Sequence, residues 1–287
     1  REKSNKLAFE FRDYAEWSLD KGASTEDIDY HSAKLENVLK SVMPSNGDGN
    51  AAGTGNCARE TLAFAEANLE TVEACSANLG LKPHELLFCL FADALTQVSE
   101  TDDIVVGVPT SGRNRPDVIN LVGSFVSTIP CKLNAPKSNT RNRLLGLSEQ
   151  LREALKHQSL SYADLVKNTP AEQAMFPGFI QASFAFQDIR NRPTSIATLA
   201  LKQLDLPRLN TEYPIEFWVR IQPGGFVGVF DFDESTISAE KIEALKDAFS
   251  ELVNNLDRTE TEQEVMEEKI FSLEKVVLIE KKKKKLI

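Results

Sequence analysis

The residues best placed to do chemistry lie in one stretch, Asp103 to Lys132, DIVVGVPTSGRNRPDVINLVGSFVSTIPCK. Two arginines, Arg113 and Arg115, flank Asn114 in a polar turn with Ser111 and Gly112 before it and Pro116 after it. Before the turn comes the β-branched run Ile104-Val105-Val106, the pattern of a strand covered on both faces. After it, a short helix and then Phe125-Val126-Ser127-Thr128-Ile129 restore a strand pattern. A polar, arginine-bearing loop held between two core strands is where binding surfaces are built; the competing reading is a solvated connection. Elsewhere the chemistry is scattered. His31, His84 and His157 are far apart, and none has an acid or nucleophile at motif spacing. There is no G-x-S-x-G, no HExxH and no dinucleotide fingerprint, so spacing names no acid–base pair.

Those residues need a scaffold, and 287 residues suffice for one large domain or two smaller ones, burying roughly 75% of the unfolded surface. Hydrophobic content of 41% with 26% charged residues is ordinary for a soluble globular protein. A net charge of −10 argues against a general nucleic-acid binder. No apolar run reaches the ~18–20 residues of a membrane span, and the N-terminus lacks a signal-peptide apolar region. Cys57, Cys75, Cys89 and Cys131 form no CxxC pair, and read as buried thiols of a cytosolic protein, not a disulfide frame or metal site.

Taken in order, residues 1–44 read as helical, with Phe11, Tyr14, Ala15 and Trp17 on one face and Leu35, Val38, Leu39 and Val42 on a second stripe. Both aromatics, Tyr14 and Trp17, read as helix-face packing. Residues 45–60 open on glycines at 47, 49, 53 and 55 and read as a flexible loop. A helix is expected from Thr61 to about Leu79, capped by Gly80, and a second, buried on most sides, begins at Pro83. A helix over 141–157 turns Leu144, Leu147, Leu151 and Leu155 inward, and His157 at its end reads as a cap on free carbonyls. Another short helix follows around Tyr162. From Phe179 the pattern is β: Ala182, Phe184 and Phe186 alternate with polar or small partners as far as Gln187-Asp188. Residues 199–204 suggest another strand, and 215–233 a hairpin turning at Pro223-Gly224-Gly225. Ser238 starts a last amphipathic helix, and 257–287 is a charged tail ending near five lysines, 281–285. Strands, helices and a hairpin together predict an α/β fold with a mixed β-sheet covered by helices.

Several stretches, in order, resemble motifs of the condensation domains of non-ribosomal peptide synthetases. Phe11 to Trp17 resembles YxDFAVW; Thr101 to Pro116 is similar to the family's QDDIVVGTPVAGRNRP run. Val122 to Thr128 resembles (I/V)GxFVNT, with Ser127 where asparagine is usual. His157-Gln158 resembles the start of HQDYPFE, and Asp188 to Pro193 corresponds loosely to the last motif. The likeness spans roughly 7–256 and implies a chloramphenicol-acetyltransferase-like lobe over 61–256, joined by 1–44 to a further lobe. The family's HHxxxDG motif lies upstream of YxDFAVW, and no His-His pair occurs here.

The resemblance implies amide formation between two carrier-protein-tethered thioesters, with no catalytic residue identifiable in this chain. The substrate tunnel would be lined by Ser127, Thr128, Gln187 and Asp188, with Arg113 and Asn114 in a structural loop. Asp188 stands where the family has asparagine, which adds a charge. No metal and no directly bound cofactor is implied; 4′-phosphopantetheine would arrive on carrier proteins. The implied partners are donor and acceptor carrier proteins, an N-terminal lobe bearing HHxxxDG and adjacent synthetase modules, in the cytoplasm, without nucleic acid or membrane. Two alternatives stand beside this: a non-catalytic carrier-docking or scaffold lobe, and a cyclisation-type relative.

Overall fold

The computed structural model describes residues 9–22, 24–36, 57–99, 103–113, 115–160, 162–168, 180, 182–204, 206 and 208–256. Two short helices come first, α1 (Phe11–Lys21) and α2 (Thr25–Leu35). Gly22 ends α1 at φ 66°, a left-handed conformation that favours glycine. Of the second expected stripe only Leu35 is described; Val38, Leu39 and Val42 lie outside the described residues.

Six strands make the principal sheet, in the order β1-β8-β7-β4-β2-β3. They are β1 (Cys57–Ala65), β2 (Asp103–Thr110), β3 (Ser127–Asn134), β4 (Ala182–Asp188), β7 (Ile215–Gln222) and β8 (Gly225–Asp233). A two-stranded hairpin, β5 (Ser195–Ile196) with β6 (Leu199–Ala200), stands apart, so the strand expected over 199–204 is only its first two residues. Pairing is antiparallel except on both sides of β4, which runs parallel to β2 and β7. The sheet is therefore mixed, as the pattern predicts.

Four helices cover one face: α3 (Glu66–Leu79), α4 (Pro83–Ser99), α5 (Thr140–Lys156) and α7 (Ala239–Asn254). Alternation along the strands sends Ala182, Phe184, Ile215, Phe217, Val219, Phe230 and Phe232 to that face, where they form the main core with Leu86, Phe91, Leu147 and Phe249. Helix α4 is buried nearly all round, consistent with its apolar circumference. Gly80 takes the left-handed cap after α3, with Leu81 N–H donating to the Ser76 carbonyl. On the opposite face α2 and the short α6 (Tyr162–Asn168) cover a second, smaller core of Leu35, Val105, Leu160, Leu165, Ile180 and Tyr213.

One element departs from expectation. The helix expected from Thr61 starts only at Glu66, and residues 57–65 are strand β1, paired along its length with β8. The composition CARETLAFA suits a helix, but β8 offers an unpaired edge, and Leu62 and Phe64 reach the main core from it. Tertiary pairing outweighs the local preference here. The strand expected at Phe125 likewise begins later, at Ser127.

Beyond β4, the described residues between 189 and 212 form an arm that returns to the sheet through Leu209, whose carbonyl accepts from Cys57 N–H. Along it Ile196, Leu199, Leu204, Leu206 and Leu209 are each more than 60% exposed. Soluble monomers seldom leave so many large apolar groups together in water.

Candidate functional site

Because β4 runs parallel to β2, the C-terminal ends of both strands lie at one end of the sheet. Crevices beyond such ends are the usual ligand sites of α/β sheets. The loop after β2 begins Thr110-Ser111-Gly112. The Thr110 hydroxyl donates to the Ser127 carbonyl (3.1 Å), closing the loop against β3. Gly112 turns the chain at φ 63°, and any Cβ there would sit 1.9 Å from the Phe125 carbonyl oxygen.

Arg113 then folds back on its own loop. Its guanidinium lies 4.2 Å from the centre of the Phe125 ring and donates to the carbonyls of Val118 (2.6 Å) and Ile119 (3.3 Å). Phe125, Val118 and Leu121 form a satellite core on which Phe11 and Tyr14 of α1 pack, 4.9 and 4.7 Å from Phe125 between ring centres. Gly123 makes room for this contact, since a Cβ there would lie 2.2 Å from the Phe11 ring. Arg115 pairs with Asp117 and stacks 4.4 Å over Trp17, which remains 40% exposed. Arg113 therefore braces the loop itself, and Arg115 ties it to α1. Asn114 lies outside the described residues.

The four residues expected to share a tunnel wall do share this end of the sheet, but not one face. Alternation turns Thr128 and Gln187 to the face away from the four covering helices, and Ser127 and Asp188 toward them. Gln187 Oε1 accepts from Arg192 (3.2 Å), which also reaches Gln203 in the arm (2.7 Å). Asp188 is clamped by Arg190 through Nε and Nη2, the latter at 2.7 Å, and Arg190 also binds Glu73 of α3 at 2.9 Å. The Arg190 hydrogen bonds hold the Asp188 carboxyl below the usual carboxylate range. The charge added at Asp188 is thus paired within the fold. The alternating pattern already put 187 and 188 on opposite faces, whereas nothing in it pointed to Arg190 or Glu73.

His157 ends α5, and its role differs from the expected cap. Its Nδ1 donates to Asp27 (2.9 Å), its ring stacks on Tyr30 at 4.0 Å, and its carbonyl accepts from His31 Nε2 (3.0 Å). The residue ties α5 to α2. Neighbouring Gln158 donates to the Leu155 carbonyl and faces the β2 end. His31 is buried, and desolvation lowers its pKa from the ordinary imidazole value, outweighing its bond to the His157 carbonyl. Burial lowers His84 in the same direction.

A depressed imidazole pKa makes the unfolded chain the stronger proton binder, so stability is fully present above about pH 6.5 and declines as pH falls toward the folded value. Lowering pH from about 7.5 to about 5.5, above most carboxylate titrations, is expected to lower the thermal midpoint. Replacing His31 by glutamine should flatten that slope. An unchanged slope in the variant would remove His31 as its source.

Between α4, α5 and the β2 and β4 ends, on the helix side, lies a cavity of about 320 Å³. Among the described residues no group of His, Cys, Asp and Glu is arranged to hold a metal ion, and no helix is long and apolar enough to cross a membrane.

With this geometry in place, comparison with known proteins is decisive at the family level. The family model for the condensation domain matches residues 1–277. The chain belongs to the condensation-domain family. A linear gramicidin synthase of Brevibacillus parabrevis is 24% identical over 257 residues, which is 86% of this chain and 3% of that synthase. Among solved structures, the condensation domain of the monacolin K polyketide synthase MokA superposes with a TM-score of 0.69 at 16% identity, covering 84% of this chain and 59% of that one. The X-domain from teicoplanin biosynthesis, solved in complex with OxyB, gives 0.73 at 15% identity, covering 89% and 59%. The condensation domain thus has the chloramphenicol-acetyltransferase-like fold, and this chain spans about three-fifths of each of these two solved structures.

Proposed function

We propose that this chain forms one side of a substrate tunnel in a peptide synthetase condensation domain. In that tunnel an acceptor amine attacks a donor thioester. The C–N bond forms, the C–S bond breaks, and the proton lost by the amine ends on the released carrier thiol. Donor and acceptor would be held by 4′-phosphopantetheine arms of carrier proteins, which are substrates here. The observation that carries the reading is convergence. Residues of four separate motif-like segments, at Thr110-Ser111, Ser127-Thr128, Gln158 and Gln187-Asp188, meet at one end of one sheet.

Under this reading the chain acts by positioning. Holding two tethered reactants face to face supplies an effective molarity equivalent to about 7–11 kcal/mol of barrier. Thr128 and Gln187 would face the substrates, Ser127 and Asp188 would shape the strand ends, and Arg113 with Asn114 would hold the loop. No two histidines are consecutive in the sequence, and His31 and His157, which do meet, are engaged in tying α2 to α5, so this reading assigns proton handling to a lobe bearing HHxxxDG. The exposed leucines of the arm are the surface such a lobe would cover. A cytoplasmic setting fits four cysteines that form no disulfide.

The test is complementation. The purified chain, mixed with aminoacyl-loaded donor and acceptor carrier proteins, should release no dipeptidyl thioester detectable by intact-protein mass spectrometry. Adding a separately expressed HHxxxDG lobe should restore it. A second reading, a docking lobe without catalysis, draws support from the fold shared with the teicoplanin X-domain, which was solved bound to another protein. Failure of any such lobe to restore product, with carrier binding intact, would favour that docking role.

A further inference from the structure

The cavity on the helix side borders the loop after β2 through Thr110 and Ser111 and lies on the sheet face opposite the Gln187 side chain. Its body is apolar, with Phe88 of α4, Leu151 of α5 and Phe184 of β4 as principal walls. The polar groups of its lining are His84, Thr110, Ser111 and Gln158, and the Thr110 hydroxyl is engaged with the Ser127 carbonyl. An apolar body with a few convergent polar groups is the composition of a small-molecule site, and about 320 Å³ is at the small end of such sites.

The polar groups are not equally occupied. Gln158 gives one amide N–H to the Leu155 carbonyl and keeps its Oε1, and Ser111 Oγ accepts from Arg113 N–H and keeps its hydroxyl proton. The His84 ring lies 5.5 Å from that of Phe186, and among the described residues nothing hydrogen-bonds its nitrogens. Desolvation favours its neutral form, so it offers one donor and one acceptor and no charge. Among the described residues no carboxylate or cationic side chain lines the cavity. A charged occupant would lose its hydration without an ionic partner.

We propose that this cavity seats the apolar side chain of a tethered substrate, a neutral aromatic or aliphatic group with about six to nine carbons, given that ~150 Å³ suffices for benzene. His84 hydrogen-bonds a neutral polar atom, such as a carbonyl oxygen, where that group leaves the cavity. The position suits a tethered group because the cavity includes Phe186 and Ser111, next in sequence to Gln187 and Gly112 at the sheet end. The proposal names a substrate class for the condensation reading and rests on it for the word substrate, while binding itself can be measured on the chain alone.

The experiment is calorimetric titration of the full chain with N-acetylcysteamine thioesters of 3-phenylpropanoate, hexanoate and succinate. The two neutral thioesters are expected to bind saturably at one site, and the succinyl thioester at least about tenfold more weakly. Leu155→Trp, which fills the cavity from α5, should abolish binding while circular dichroism shows a folded chain. Should that variant misfold, Ser111→Phe at the exposed mouth serves the same purpose. His84→Phe should weaken the neutral probes severalfold. Absence of saturable binding, equal affinity for succinyl, or unchanged binding in a folded cavity-filling variant would each overturn the proposal. Probe binding with no amide formation after complementation would leave the pocket standing and remove the condensation reading. Restored amide formation indifferent to side-chain class would do the reverse.

Discussion

Replacing Phe217 by alanine is expected to remove about 3–5 kcal/mol of stability, the range for deleting a buried phenylalanine. Phe217 is fully buried on β7. Its ring stacks on Phe230 at 4.1 Å and meets Phe91, Phe249 and Phe184 at 4.8, 4.9 and 6.0 Å. Neighbouring strand β8 places Gly228 against it, where a Cβ would come within 2.8 Å of the ring. With no side chain at 228 to move inward, the cavity would stay largely open, which favours the upper part of the range. Domains have only about 5–15 kcal/mol in total, so the variant should be marginally folded. Urea unfolding should show a large fall in midpoint with the slope preserved. A loss below about 1.5 kcal/mol would mean that the surrounding rings collapse into the gap.

Arg59→Met should cost nearly as much, by a different route. On the face away from the covering helices, Glu216 of β7 and Asp231 of β8 are direct cross-strand partners, and both carboxylates are buried. Like charges directly opposite destabilise a sheet unless each is compensated. Arg59 of β1 grips Asp231 through two bonds, 2.6 and 2.8 Å, and Arg208 of the arm pairs with Glu216. Removing one partner from a buried pair costs about 3–5 kcal/mol, because an uncompensated charge is left behind. Arg59 is 31% exposed, so water supplies part of the compensation and the lower end applies. Adding Asp231→Asn to Arg59→Met should recover a substantial share, since the stranded charge is then gone. A single-variant loss under about 1 kcal/mol, the range of exposed pairs, would show that this network is solvated.

The mixed sheet, the hairpin, the buried α4 and the strand–loop–strand around Arg113 were legible because their periodicities are strong and local. Strand β1 was not, because its residues suit a helix and only the edge of β8 decides otherwise. The same limit applied at the site. Its residues could be listed from motif order and alternation divided neighbours between two faces, yet which of them share a face across strands follows from register, and the partners of Asp188 come from the following turn and from a helix far earlier in the chain. His157 shows it most plainly: a helix-end histidine suggests a local cap, whereas its partners are Asp27 and Tyr30. Long-range electrostatics leaves little trace in a single sequence.

The pairing of β1 with β8 has a consequence for biogenesis. The earliest described strand is hydrogen-bonded to the last, with every other strand of the sheet between them in the chain. As the chain leaves the ribosome, residues 57–65 emerge with no partner and must wait until the hairpin over 215–233 has been made. Closing so long a loop adds little to the equilibrium cost, since that entropy grows only with the logarithm of length, but it makes the step late. Meanwhile the waiting segment can lean on its own helical tendency, continuing α3 backward. A nascent chain interrupted before Asp233 would carry a bare strand edge beside an uncovered apolar face, the state most prone to aggregate and most dependent on chaperones. The sheet can therefore close only after its last strand has been synthesised.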